Sequence, residues 1–479
     1  MEEYKMKDMF KGTLTQVFAA VFGTLFAISD GMVTGWTAPM IPYLISEESH
    51  IKTTKREAEW LEPALLMGAF CGLPTTIYFT QKIGRKKSLL LASAVSLMAW
   101  IAVLFADKII YICAARFFSG MAGNMAFVSA PMYVAEIADQ KIRGFLSSII
   151  YLMLLFGCVV VYIVGPYLPY YASPVIGAGI VITELMVFSF VPESPYYLLW
   201  KGKPEKAKKS LEYFRPGIQD VEDELKSIAE GIQRQSNDKG KMRDLFSGGN
   251  CKAFLIMAVL GGGQNLCGIN VVLMNLHLIL REAGSIYLND SLTGIVFSVV
   301  MLITASAASF FVDKYGRKVL LVTSASLTGI TLLLIAIYFN VKFVGYEVAG
   351  ISWIPIVTVM AYAFCYKIGL GMVPIVITSE IFATNVKAIG MTLADAMFVC
   401  WGIVSLQVYQ WLSDPFGIHV PFYLFSISAF LLALFTVFCI PETKGKTLDE
   451  IQKILNGIDL GKDLTEKSAV EIPLMELKA

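Results

Sequence analysis

Eight ionisable side chains sit inside runs that are otherwise built for hydrocarbon: Asp30, Glu62, Arg116, Glu136, Glu184, Lys367, Glu380 and Asp395. Each costs about 2.5–3.5 kcal/mol to place at the centre of a bilayer, so each needs a partner or a water-filled cavity. Asp30 lies in the middle of its run. Left without a cation it would take up a proton and could carry it; paired with Arg116 it would stay ionised and serve structure. The residue types leave both readings open.

Glu136 and Glu380 are counterparts. Pro131-Met-Tyr-Val-Ala-Glu136 is followed by Arg143, and Pro374-Ile-Val-Ile-Thr-Ser-Glu380 is followed at the same spacing by Lys387. Both acids fall close to a short basic string that also occurs twice, Gln81-Lys-Ile-Gly-Arg-Lys-Lys87 and Asp313-Lys-Tyr-Gly-Arg-Lys318. Repeats about half the chain apart indicate two related halves. Charge-assisted hydrogen bonds at these points, Glu136 with Arg143 and Glu380 with Lys387, are expected to clasp helix ends and to open when a gate opens; the alternative is a static ion pair. Because Gln81 stands where Asp313 does in the second copy, the N-terminal clasp is expected to be the weaker.

The densest uncharged polarity is Gly263-Gln264-Asn265-Leu-Cys-Gly268-Ile-Asn270, followed by Asn275. Amides offer donors and acceptors without charge, which suits a neutral polyol; they also bond neighbouring helices. His277 reads as a hydrogen-bonded interior histidine. No Ser/His/Asp set, HExxH, P-loop or dinucleotide-binding context appears, so neither an enzyme, a metal site nor a cofactor is expected.

The elements that position these groups are membrane helices. The chain has 479 residues, of which 56% are hydrophobic and 16% charged, and its mean hydropathy is +0.64. That composition defines an integral membrane protein, and a net charge of +1 gives no reason to expect nucleic acid as a partner. With about 20 residues per crossing, six spans fall at roughly 16–44, 60–80, 88–106, 109–136, 145–167 and 171–191. Six more fall at roughly 252–280, 290–312, 318–340, 350–382, 388–412 and 418–440. The expected organisation is an N-terminal six-helix bundle over 1–192, a linker with short helices over 193–251, a C-terminal six-helix bundle over 252–440 and a tail over 441–479. Basic hairpins at 82–87, 141–143 and 314–318 put the linker and both termini in the cytoplasm. The linker's Leu211, Phe214, Val221, Leu225 and Ile228 among charges predict amphipathic helices acting as a latch or lid. The first span is expected to remain in place, since no cleavable signal precedes it. The cysteines, seven of them in apolar runs without metal spacing, read as small core residues. Asn289-Asp-Ser291 is a glycosylation sequon that this topology places outside, a weak signal.

Taken together, the doubled Gly-Arg-Lys hairpins, Pro131–Glu136 with Arg143-Gly144, Pro192-Glu-Ser-Pro195, Gln264-Asn-Leu-Cys-Gly-Ile-Asn270 and Pro441-Glu-Thr-Lys-Gly445 resemble the sugar porter branch of the major facilitator superfamily, from about residue 12 to 455. Gly35-Trp-Thr-Ala-Pro39 is similar to the arthropod facilitated trehalose transporter type. The resemblance implies an all-α fold of 12 spans and a plasma-membrane carrier, functional as a monomer, in which lipid and a sugar are the partners. It also implies facilitative transport of trehalose or a hexose by alternating access, with proton coupling through Asp30 and Arg116 as the rival and a non-transporting sugar sensor as a further alternative. By the same resemblance Gln264, Asn265 and Asn270 would contact sugar, joined by Asn275 and by Tyr151. Arg85, Glu136, Arg143, Glu193, Asp313, Arg317, Glu380, Lys387 and Glu442 would form the gate network. The pocket departs from the family more than the gate does: Tyr151 and Asn265 stand where many members have Gln, Met274-Asn275 replaces a tyrosine pair, and Met301, Ile375 and Phe398 replace Asn, Trp and Asn.

Overall fold

The computed structural model describes residues 2–139, 142–216, 221–237, 242–284, 287–382, 386–444, 446 and 448–456. Among them all regular structure is helical, and eleven helical stretches are long and apolar enough to cross a membrane. The shorter apolar helix Ala172–Phe188 completes twelve spans in two six-helix halves.

Span 1 runs as Glu2–Gly23, Phe26–Gly35 and Thr37–Leu44, broken near Thr24 and Trp36. Spans 2 to 6 are Leu61–Lys82, Arg85–Leu104, Ile109–Ile137, Arg143–Tyr167 and Ala172–Phe188. Span 7 comprises Gly248–Leu266 and Ile269–Ala283, span 8 Asp290–Tyr315 and span 9 Arg317–Phe343. Span 10 comprises Ile354–Ile368 and Val373–Ile381, span 11 is Lys387–Phe416 and span 12 His419–Cys439. The breaks follow the sequence: Gly268 is left-handed with φ +77°, and Pro374 opens the second half of span 10 after Gly369 and Gly371. Interrupted helices of this kind survive in a bilayer only where protein or a cavity satisfies the freed backbone.

Helices without a hydrophobic drive between them associate through small residues that let backbones approach. Spans 2 and 4 do so reciprocally, Gly68 against the Phe117 carbonyl and Gly120 against the Leu65 carbonyl, where an added Cβ would collide with backbone on either side. Between the halves, span 2 packs on span 11, span 5 on span 8, and the far ends of spans 1 and 7 on each other.

The linker holds the helices Pro195–Trp200, Pro204–Phe214, Val221–Asn237 and Met242–Leu245. Its apolar stripe is seated: Ala207, Leu211 and Phe214 are buried, and the Phe214 ring meets Tyr133 of span 4 edge-on at 6.5 Å. Gln16 of span 1 donates to the Phe214 carbonyl at 3.0 Å and accepts from the Asp139 N–H at 2.8 Å. Val221, Leu225 and Ile228 are half-buried. The cysteines divide, with Cys158, Cys267 and Cys365 buried but Cys71, Cys400 and Cys439 exposed. An apolar run identifies a membrane helix and not which of its faces is buried, so the expectation of core positions fails for those three.

Candidate functional site

The linker face carries two clusters of the same construction. In the N-terminal half, Gly84 turns the chain into span 3 with φ +105°. A side chain here would collide with the Glu193 carboxylate, so both the backbone angle and the space require glycine. Glu193 accepts the backbone N–H groups of Lys86 and Ser194, each at 3.0 Å. Arg85 Nε donates to Glu136 Oε1 at 2.9 Å and Nη2 lies 2.9 Å from the same oxygen. The Ser194 hydroxyl donates to the other Glu136 oxygen, and the Arg85 guanidinium covers the Tyr197 ring at 5.1 Å.

In the C-terminal half, Gly316 repeats the turn with φ +90°, and an added Cβ would lie 2.8 Å from Glu442 Oε2. Glu442 accepts the N–H groups of Arg317 and Lys318 at 3.0 Å and of Lys444 at 2.9 Å. Arg317 Nη2 donates to Glu380 Oε1 at 3.0 Å, and Thr443 Oγ1 donates to Glu380 Oε2 at 2.5 Å. Burial pushes the Glu442 carboxyl up, but the N–H groups of Lys444, Arg317, Lys318 and Thr443 together hold it below its ordinary value.

Two expected pairings are therefore corrected. Glu136 is held by Arg85 rather than Arg143, whose Nη2 reaches the Ala138 carbonyl at 3.4 Å. Glu380 is held by Arg317 rather than Lys387. The reason is geometric: the hairpin arginine begins the neighbouring helix and arrives beside the acid, whereas Arg143 and Lys387 begin the next span after a loop. Each cluster ties one bundle to the segment that follows it, the linker in the first case and the tail in the second, and neither joins the two bundles to each other. The Asp313 side chain lies outside the described residues, so the contrast with Gln81 is not seen directly; what is seen is that the N-terminal pair is the more enclosed, with Arg85 and Glu136 side chains 8% and 13% exposed against 11% and 25% for Arg317 and Glu380.

The seam between the halves is built differently. Gln264 Nε2 donates to the Leu370 carbonyl in the break of span 10 at 2.9 Å, and Tyr366 Oη donates to the Gln264 carbonyl at 3.2 Å. Asn265 Nδ2 donates to the carbonyls of Gly261 and Phe398 at 2.9 and 3.0 Å, while its Oδ1 accepts from Asn270 Nδ2 at 2.8 Å. Asn275 Nδ2 crosses to Glu62 Oε2 in the other half at 3.0 Å. Tyr151 accepts a hydrogen bond from Lys367 across the seam at 2.7 Å. Further toward the face opposite the linker, Tyr162 Oη donates to the Leu273 carbonyl at 2.5 Å, Gln410 Nε2 to the Glu59 carbonyl at 3.0 Å, and Lys55 pairs with Asp414 at 2.7 Å. Glu62 and Lys367 stand out in the sequence as costly charges, with Lys367 expected either to pair with an acid or to point at the cavity; among the described residues it pairs with no acid and meets Tyr151 instead, and Glu62 is taken by Asn275. Their signal was that cost, and it could not say that both reach across the midline.

Asp30 and Arg116 are not paired. Arg116 Nε and Nη1 donate to the carbonyls of Leu61 and Val33 at 2.6 and 3.0 Å, while the Asp30 carboxyl packs against Gly123 of span 4. His277 is buried beside Tyr162, and neither ring nitrogen has a partner. Asn289 caps span 8, its Oδ1 accepting from Ser291 N–H at 3.2 Å, and is exposed. Among the described residues no cluster of metal-ligating side chains occurs.

Twelve spans in two six-helix halves define the major facilitator fold. The sequence profile of the family described as "Sugar (and other) transporter" matches residues 16–455, and the chain belongs to that family. It is 28% identical over 448 residues to the "Facilitated trehalose transporter Tret1" of Polypedilum vanderplanki, covering 92% of this chain and 88% of that one. To the protein of the same description from Drosophila virilis it is 26% identical over 447 residues, and there it spans 49% of the relative's length. Among solved structures, the xylose transporter XylE from E. coli in an inward open conformation superposes with a TM-score of 0.74 at 22% identity, covering 92% of this chain and 99% of that one. The proton:xylose symporter XylE bound to 6-bromo-6-deoxy-D-glucose gives 0.72 at 22% identity, covering 94% and 100%.

Proposed function

We propose that the chain carries a sugar across the plasma membrane by facilitative alternating access, with a hexose or trehalose as the cargo scaffold, and works as a monomer. The observation that carries this reading is the polar seam where the breaks of spans 7 and 10 face each other through Gln264 and Leu370. Half-helices that end at the midplane leave backbone groups available to a ligand there. Gln264 and Tyr151 are the side chains placed to meet the cargo. Asn265 and Asn270 hold each other and support them, and Asn275, through Glu62, belongs to the closure of the opposite face. The basic hairpins on the linker face support a cytoplasmic position for that face and for both termini. The two charged clusters keep each half rigid, so that the halves rock as bodies while the far-face contacts break and re-form.

Proton coupling through Asp30 is kept as a second reading because that carboxylate makes no ion pair among the described residues. Uptake of labelled glucose, trehalose and their acidic derivatives into cells lacking their own carriers tests the main reading. Flux of at least one compound is expected, and Gln264→Leu is expected to abolish it with surface expression retained. Undiminished flux in Gln264→Leu removes the assigned site, and no flux of any compound removes the function. Accumulation above equilibrium under an imposed pH gradient, lost in Asp30→Asn, would replace facilitation by symport.

A further inference from the structure

The charge at the centre of the seam is positive. Lys367 ends the first half of span 10, is 6% exposed, and sends its ammonium into the other half, where Tyr151 accepts a hydrogen bond at 2.7 Å. The rings of Tyr151 and Tyr366 lie 5.2 and 5.7 Å from Nζ. No carboxylate among the described residues is within ion-pair distance of it. Two neutral features make the charge tolerable when the seam is empty: the negative end of the half-helix it terminates and the electron-rich faces of the two tyrosines. Neither neutralises it.

A buried, uncompensated cation beside the residues assigned to the cargo is a poor element for a neutral sugar and a natural one for an anion. An ammonium is a compact point charge with three donors, one of which Tyr151 takes. We propose that Lys367 and Tyr151 form a carboxylate subsite, so that the transported sugar is a monoanionic sugar acid such as a hexuronate. A single ammonium balances a single negative charge; a sugar phosphate, near two charges, would leave one uncompensated in the seam. The polyol part of the same molecule would meet Gln264, whose side-chain amide donates to the Leu370 carbonyl and whose backbone carbonyl accepts from Tyr366 Oη. The inference rests on the transport reading above.

The test uses the full chain in proteoliposomes, with labelled glucuronate, glucose and trehalose offered separately and in competition, and with glucose 6-phosphate as a further competitor. Glucuronate flux is expected to exceed glucose flux at least tenfold, to be blocked by excess glucuronate but not by glucose 6-phosphate, and to respond to membrane potential because one charge moves per cargo. In Lys367→Met the ratio of glucuronate to glucose flux should fall at least tenfold, whereas Lys367→Arg should retain the preference for the acid. Should Lys367→Met fail to fold, Tyr151→Phe and the wild-type competition carry the same decision. Glucose or trehalose flux indifferent to glucuronate and to potential overturns the subsite while leaving the carrier intact. Preferred transport of glucose 6-phosphate overturns the choice of a carboxylate. Absence of flux for every compound overturns both readings.

Discussion

The two halves repeat their clasps and do not repeat their seam. On the linker face, Gly84, Arg85, Glu136, Glu193 and Ser194 find counterparts in Gly316, Arg317, Glu380, Glu442 and Thr443, down to which carboxylate caps the turn and which holds the guanidinium. At the seam, by contrast, the C-terminal half supplies Gln264, the broken span 10 and Lys367, and the N-terminal half answers with Tyr151 and Glu62. A structural staple tolerates duplication because both halves need the same rigidity. If the seam is the proposed binding site, a ligand with two different sides calls for contacts that differ between the halves.

The clasps themselves differ in enclosure, and that difference can be broken experimentally. The largest effect is expected at the buried pairs. Removing one member of a buried ion pair costs about 3–5 kcal/mol, so Arg85→Ala should sharply lower the thermal stability of the detergent-purified protein. Arg317→Ala should lower it less, because Glu380 is twice as exposed as Glu136. Equal losses would remove the distinction. Next come the turns: Gly84→Ala and Gly316→Ala each force a side chain onto positive φ and onto a carboxylate, for about 1–3 kcal/mol, with Gly84 the worse because its collision is the closer. Ser194→Ala and Thr443→Ala each remove one hydrogen bond to a carboxylate, worth about 1.5–3 kcal/mol at most; Ser194→Ala also removes the acceptor of the Tyr197 N–H, so its thermal shift should be the larger, and equal shifts would remove that difference.

The smallest effect concerns pH. The Glu442 carboxyl is held below its ordinary value, so its stabilising contribution is complete above the ordinary carboxylate range. It shrinks as the pH falls below that range and is lost once the pH passes the lowered native value. The stability difference between wild type and Glu442→Gln should therefore close on acidification. A difference that widens as the pH falls would contradict the hydrogen-bonding account of this turn.

The spans were legible because twelve apolar runs separated by charged hairpins admit few other readings. Which glycines and prolines interrupt a helix was not, since Pro131 and Pro166 lie inside continuous helices while Gly268 and Pro374 stand at breaks. The clasp members were legible through repetition, and their pairing was not. Arg85 and Arg143 are both near Glu136 along the bundle, and only the placement of span 3 beside span 4 selects Arg85. The amides near Gln264 announced a polar seam, but not that Asn265 and Asn270 would satisfy one another or that Asn275 would be taken by Glu62. Contacts across the midline join residues hundreds of positions apart, and no local pattern encodes them.

The central claim is that each half moves as a rigid body held by its own clasp. Spin labels at Lys87 and Phe145 report within the N-terminal half, and labels at Lys87 and Val319 report across the two halves on the linker face. With saturating cargo, the distance between the halves should change by several ångströms, on the order of a helix shift in switching proteins, while the distance within the half stays constant. A within-half distance that changes as much as the one between the halves would contradict the account, because the clasps would then be gates rather than staples.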